Sequence, residues 1–250
     1  MDKKIRLDVL LVEKGFCSSR ALAQKLISDG SVKVNGKVSL KASALTADTD
    51  NIEILENPLL HYVSRGALKL VTALDSFGIT PKGLVCLDIG ASTGGFTDVL
   101  LQRGAEKVYA IENGSAQLHE KLRFDPRVVS LENTDARNLE GTQVPVCDMA
   151  VMDVSFISQT LFYNTLKDYL ADGGILISLI KPQFEAGRAH LNKKGIVKSA
   201  QVREKVINQV IEEAKKFGFN HLGTVKSSIE GGDGNVEYLA AFKLMKEAII

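Results

Sequence analysis

The stretch from Leu84 to Leu101 constrains this chain more than any other. Leu84-Val85-Cys86-Leu87-Asp88-Ile89 is a short apolar run suited to a buried strand, and Gly90-Ala91-Ser92-Thr93-Gly94-Gly95 ends it. Phe96-Thr97-Asp98-Val99-Leu100-Leu101 then spaces its apolar residues as a helix does. Strand, glycine-rich turn and helix in that order make a nucleotide-binding βα unit, where backbone amides approach a ligand because no side chains intervene. Glycines at 90, 94 and 95 do not spell G-x-G-x-x-G, which speaks against a pyrophosphate cradle. Nor does the turn spell G-x-x-x-x-G-K-[ST], so it is not a P-loop.

The strands expected downstream repeat one arrangement. Lys107-Val108-Tyr109-Ala110-Ile111 ends at Glu112, placed to accept hydrogen bonds from ribose hydroxyls. Val128-Val129-Ser130-Leu131 leads to Asp135-Ala136, where Asp135 is suited to an adenine amino group. Met149-Ala150-Val151-Met152 ends at Asp153, and Gly174 to Ile180 ends at Lys181. Single acids after strands are often turn caps, but a series in strand order marks the ligand crevice at the carboxyl edge of an open sheet. An amphipathic helix from Gln201 to Lys216, stopped by Gly218, and strands Leu222–Val225 and Glu237–Leu244 complete the α/β pattern.

Charge separates a second module. Over the 250 residues Lys and Arg number 31 and Asp and Glu 30, a formal net charge of +1, yet residues 1–45 hold nine basic side chains against four acidic ones. That first stretch reads as two short helices, one around Leu7, Leu10 and Leu11 and one behind a Ser18-Ser19 cap and stopped by Gly30. A hairpin follows, turning at Asn35-Gly36, and then a strand at Asn51–Leu55. Asn57-Pro58 interrupts regular structure, giving expected boundaries of 1–56 for the small module, 57–61 for a linker and 62–250 for the large domain.

The hydrophobic fraction of 45% is ordinary for a globular protein, and no apolar run approaches the ~20 residues that cross a bilayer. Cys17, Cys86 and Cys147 are scattered, so neither a disulfide framework nor a metal site is expected. No secretory signal is indicated, and the expected location is cytoplasmic.

Motifs then point to a family. Arg6 to Gly15, Ser19-Arg20-Ala21 and Gly30 to Lys37 resemble an S4 RNA-binding domain. The xDxGxxxGG turn with acids after the following strands looks like an S-adenosylmethionine-dependent methyltransferase, a Rossmann-like, doubly wound, mostly parallel sheet whose last strand is antiparallel. Ser-Arg-Gly-Ala-Leu-Lys-Leu at 64–70, Asp-Val-Ser-Phe-Ile-Ser at 153–158, Lys-Pro-Gln-Phe-Glu-Ala-Gly-Arg at 181–188 and Gly-Asn-Val-Glu-Tyr at 234–238 complete the likeness. The whole chain resembles the TlyA family, named for haemolysin, with an S4 domain ahead of an FtsJ-like methyltransferase domain. The resemblance implies transfer of a methyl group from S-adenosylmethionine to a cytidine 2′-hydroxyl in 16S or 23S ribosomal RNA, or both.

It also implies site residues. The catalytic set is Lys69, Asp153, Lys181 and Glu237, with Lys181 acting as base or alkoxide stabiliser. The cofactor set is Asp88, Gly90, Ala91, Ser92, Thr93, Gly94, Gly95, Phe96, Glu112, Asp135, Ala136 and Asp153, with no metal. RNA would be met by Lys3, Lys4, Arg6, Arg20, Lys25, Lys33, Lys37, Arg65, Arg188, Lys193 and Lys194. Ribosomal RNA and ribosomal subunits are the implied partners, with no membrane and no evident protein partner. Some positions depart from the family pattern: Ala67 stands for a second glycine, Asp135 for a common asparagine, and Glu112-Asn113-Gly114-Ser115-Ala116 for an Asp-Val-Gly-Tyr-Gly run. Two readings compete, a pore-forming haemolysin and a non-catalytic RNA-binding assembly factor. The first lacks a membrane-inserting segment, and the second fits poorly with retention of all four catalytic residues.

Overall fold

The apolar run expected as the first strand of the large domain forms β6 (Val85–Ile89), and the glycine turn leads directly into α4 (Gly95–Gln102). The computed structural model describes residues 4–17, 19–57, 60–231 and 234–246 and divides into two units, 1–63 and 64–250.

In the first unit the elements are β1 (Lys4–Arg6), α1 (Leu7–Glu13), α2 (Arg20–Ser28), β2 (Val32–Val34), β3 (Lys37–Val38), β4 (Leu45–Ala47) and β5 (Ile52–Ile54). Ser19 caps α2 by accepting the Leu22 N–H, while Ser18 lies outside the described residues. Asn35 and Gly36 both take positive φ, 51° and 76°, as the two-residue turn between β2 and β3 requires. Leu7, Leu10, Leu11, Ala23, Leu26, Ile27 and Val32 are buried and make the core of this unit. The pairing of β1 with β4 has no counterpart in the sequence reading, because three-residue strands carry too little alternation to register.

In the second unit α3 (Ala67–Phe77) precedes β6. The helix begins at Ala67, with Arg65 in the turn before it. The remaining elements are β7 (Lys107–Ile111), α5 (Glu120–Arg123), β8 (Val128–Leu131), β9 (Cys147–Met152), α6 (Tyr163–Tyr169), β10 (Leu170–Ile180), α7 (Pro182–Glu185), α8 (Ala200–Lys215), β11 (Phe219–Lys226) and β12 (Tyr238–Leu244). The strand order β11-β12-β10-β9-β6-β7-β8 makes a seven-stranded sheet. The pairs from β10 to β8 are parallel, and β12 is antiparallel to both its neighbours. This is the Rossmann-like methyltransferase architecture expected from the sequence, with the last strand reversed.

Register positions the site. Ile89 pairs with Ile111 and with Met152, and Ile111 with Leu131, so the next residues, Gly90, Glu112 and Asp153, emerge side by side at the carboxyl edge. Ile180 pairs with Tyr238 in the antiparallel sense, which sets Lys181 and Glu237 at that same edge. Beneath it, Leu87, Ile89, Ala150, Met152, Leu176, Tyr163, Phe219 and Phe242 belong to one buried cluster. No helix among the described residues is long and apolar enough to cross a membrane.

Candidate active site

Two adjoining cavities lie at this edge. The larger, about 600 Å³, is lined by Gly90, Ser92, Glu112, Gly114, Asp135, Ala136, Asp153, Ser155 and Phe156 among others. The smaller, about 210 Å³, is lined by Ala91, Thr93, Gly95, Phe96, Ser64, Gly66 and Lys181. Gly90, Ser92, Asp153 and Ser155 line both. At Gly90 φ is +78°, and a Cβ would stand 2.5 Å from the Asp153 carbonyl oxygen. Only glycine admits this approach of the two strand ends.

Two residues expected to meet a cofactor line neither cavity. Asp88 is fully buried, and its Oδ2 accepts the Thr97 hydroxyl at 2.6 Å, so it braces the strand against the start of α4. A Cβ on Gly94 would meet Leu122 at 2.3 Å and Leu118 at 2.7 Å, so this glycine makes room for packing. Glu112 accepts the N–H of Ser92 through Oε2 (2.9 Å) and of Gly114 through Oε1 (2.8 Å), tying the glycine turn to the next loop. Each carboxylate oxygen keeps a further acceptor site for a ribose hydroxyl. Asp135 is gripped by the Arg137 guanidinium at 2.6–3.0 Å, which holds its carboxyl below the usual range. Glu132, which the sequence reading did not single out, accepts the N–H groups of Ala116, Gln117 and Leu118. It thereby folds the loop that departs from the family pattern. Its only sequence signal is an acid following a strand.

Burial pushes the Asp88 carboxyl up to about 7; the Thr97 hydroxyl and N–H oppose this, and the charges of Asp153 and Glu112 add to it. Between pH ~4 and ~7 the folded chain therefore holds a proton there that the unfolded chain releases. Stability falls as pH rises through that window and levels off above it, by up to about 4 kcal/mol from this group. Asp88→Asn, which is neutral at every pH, should flatten that fall. Thermal midpoints of both proteins between pH 5 and 8 test this, and parallel curves would refute it.

The four remaining residues form two ion pairs. Lys181 Nζ pairs with Asp153 Oδ1 and donates to Ser155 Oγ at 2.6 Å, so Ser155 is a contact the sequence reading missed although it lies in the same motif. Lys69 Nζ donates to Glu237 Oε2 at 2.6 Å, and Gln183 Nε2 donates to the other oxygen of Glu237 at 3.3 Å. Lys69, Lys181 and Glu237 are all buried. Lys181 and Asp153 face a cavity, whereas Lys69 and Glu237 line neither. Phe156 is 91% exposed, holds φ +64° and packs its ring against Phe184 at a centroid separation of 5.0 Å.

The basic residues are dispersed. Asp8, fully buried, accepts from Arg6 at 2.9 and 3.0 Å, from Arg20 at 3.2 Å and from Gln24 at 2.7 Å, holding both guanidinium groups beside one carboxylate. Those contacts, that with Arg6 foremost, keep its carboxyl far below the usual range. Lys25 pairs with Asp29 and Lys33 with Glu53, while Lys4 and Lys37 are exposed. Arg65, Arg188, Lys193 and Lys194 are exposed in the second unit, and Lys3 lies outside the described residues.

Comparison with known proteins agrees with this architecture. Residues 62–244 match the model of the FtsJ-like methyltransferases, and residues 5–45 match the S4 domain. Hemolysin A of Brachyspira hyodysenteriae is 45% identical over 95% of this chain and 99% of its own length. The 16S/23S rRNA (cytidine-2′-O)-methyltransferase TlyA of Mycobacterium tuberculosis is 40% identical over 95% of this chain and 89% of its own. A solved structure from Streptococcus thermophilus that bears a hemolysin name is 40% identical and superposes with a TM-score of 0.75, over 98% of this chain and 90% of that one. This chain belongs to the FtsJ-like methyltransferase family, with an S4 domain preceding the methyltransferase domain.

Proposed function

We propose that the chain transfers the methyl group of S-adenosylmethionine to the ribose 2′-hydroxyl of a cytidine in 16S or 23S ribosomal RNA, or both. The observation that carries this reading is the Lys181–Asp153 pair facing a cavity at the glycine turn, with the buried Lys69–Glu237 pair at the same sheet edge. The rRNA-methylating relative adds the substrate class.

The residues present fit the cofactor. Gly90 lines both cavities with no side chain to intrude, and Glu112 and Asp135 set carboxylates around the larger cavity beside the Ser92 turn. When bound, S-adenosylmethionine supplies a methyl group activated by its sulfonium charge. A ribose hydroxyl is a poor nucleophile at neutral pH, so this chain must orient it and help remove its proton. Lys181, fixed by Asp153 and Ser155, does this as base or as the cation that steadies the alkoxide. Glu237 holds Lys69, keeping a second ammonium group ordered without an unpaired buried charge.

Arg6, Arg20 and the exposed lysines of the first unit contact RNA phosphates, as an S4 domain suits. Residues 1–56 then serve as the RNA-binding domain, 57–61 as linker and 62–250 as the methyltransferase domain, acting in the cytoplasm where the ribosomes are. Incubation of purified protein with tritiated S-adenosylmethionine and each ribosomal subunit, followed by mapping of the labelled nucleotide, tests the proposal. A 2′-O-methylcytidine in either RNA supports it, while label on a base or on no RNA overturns it.

A further inference from the structure

The segment between α7 and α8 carries Arg188, Lys193 and Lys194 in an ordered turn. Asn192 Oδ1 accepts the N–H of Lys194 at 2.8 Å and of Ile196 at 3.0 Å, leaving Lys193 and Lys194 exposed at the tip. The returning arm is clamped twice. Asn235, 2% exposed, accepts the Val197 N–H through Oδ1 and donates through Nδ2 to the Gly195 carbonyl, both at 3.1 Å. Arg203 donates through Nη1 to the Val197 and Lys198 carbonyls at 2.9 Å, and through Nε to the Tyr238 hydroxyl at 3.2 Å.

Both clamps end beside Glu237. Asn235 stands two residues before it and Tyr238 immediately after it. The Asn235 carbonyl accepts the Gly231 N–H at 2.9 Å, and the Glu237 carbonyl accepts the Ser227 N–H at 2.9 Å, so the segment bearing the acid is itself closed. A buried amide that donates with one end and accepts with the other fixes both strands of chain it joins. A merely solvated basic loop would need no such anchor.

We infer that Asn235 is a positioning residue that ties the basic turn at Lys193 and Lys194 to the backbone around Glu237, so that docking of an RNA phosphate backbone on the turn and alignment of the Lys69–Glu237 pair are one event. This rests on the RNA methyl-transfer reading. Phosphates held by the two lysines then stabilise the same arrangement of residues 192–198 that keeps Glu237 on Lys69. In turn, a displaced Glu237 segment weakens RNA docking by the same factor, since coupling is reciprocal.

A double-mutant cycle tests the inference, combining Asn235→Leu with the joint change Lys193→Ala and Lys194→Ala. The readout is single-turnover transfer of tritiated methyl to purified ribosomal subunits, at low and at saturating subunit concentration. Asn235→Leu should raise the subunit concentration for half-maximal rate and lower the saturated rate, each about tenfold. The lysine changes alone should raise the concentration required and lower the saturated rate by less than Asn235→Leu does, and in the Asn235→Leu background they should cost less than about twofold. Asn235→Asp, which keeps the acceptor and loses the donor, should recover part of the saturated rate. It replaces Asn235→Leu in the cycle should the latter fail to fold. Affinity for S-adenosylmethionine, read by calorimetry, should stay unchanged, because Asn235 lines neither cavity.

Effects that multiply, or an unchanged saturated rate in Asn235→Leu, would overturn the inference while wild-type transfer still upheld the methyl-transfer reading. A wild-type chain that methylates neither subunit would overturn that reading itself, and the inference with it.

Discussion

Lys181→Ala is expected to lower single-turnover methyl transfer to ribosomal RNA by about 10²–10⁴-fold, the usual contribution of a positioned proton-transfer group. Affinity for S-adenosylmethionine should be little changed. The physical basis is the division of the site. Lys181 faces the smaller cavity and is absent from the lining of the larger one, where Glu112 and Asp135 stand. Its ammonium group meets Asp153 and the Ser155 hydroxyl, so truncation removes the proton-handling group and leaves Asp153 without its cation. Lys181→Met, which keeps an unbranched apolar stem and removes the Nζ that stands 5.9 Å from the Phe184 ring centroid, separates loss of chemistry from loss of packing. Both variants should melt within a few degrees of wild type and bind the cofactor by calorimetry. Transfer by either at the wild-type rate would remove Lys181 from the chemistry.

Gly90→Ala is the second large effect, and it acts on the cofactor. The added methyl carbon would stand 2.5 Å from the Asp153 carbonyl oxygen and 3.1 Å from its carbonyl carbon, with φ at +78°. Backbone cannot yield as a flexible side-chain tip does, so the ends of β6 and β9 must separate. Strain and separation together should cost about 1–3 kcal/mol, reducing cofactor affinity by about tenfold to a hundredfold. Asp153 shifts with its backbone, so the saturated rate should fall as well. Calorimetry with S-adenosylmethionine and single-turnover transfer at saturating cofactor measure the two parts. Wild-type affinity in Gly90→Ala would show that the cavity at the glycine turn does not take the cofactor.

Much of this protein can be read along the chain, and particular residues show why. Asn35-Gly36 and the Ser19 cap are local matters of backbone conformation and one hydrogen bond, and both sit where the sequence suggests. The strand ending at Ile111 and the helix at α8 follow from periodicity over a few residues. By contrast Asp88, Gly94 and Gly95 stand in one motif yet do different work. Asp88 braces Thr97, Gly94 makes room for Leu118 and Leu122, and Gly95 lines a cavity. A motif cannot distinguish a residue that touches a ligand from one that supports the turn, because that depends on what packs against each.

The same limit hides partners. Glu132, Ser155 and Asn235 act through side chains that reach across loops, from 14 to 40 positions away in sequence, and no periodicity encodes such pairs.

The sequence by itself determined the α/β class of the large domain and the small basic module ahead of it. These rest on short-range patterning and residue type. Only the tertiary structure decided that Lys69 takes Glu237 and Lys181 takes Asp153, and that, among the described residues, the second pair and not the first lines the cavities at the glycine turn. Lys69 and Glu237 are 168 positions apart, and the antiparallel register of β12 on β10 brings Glu237 to the edge where Lys181 ends its strand. A one-residue slip of β12 would turn its side chains to the opposite face, so the pairing belongs to the sheet and to no local segment of the chain.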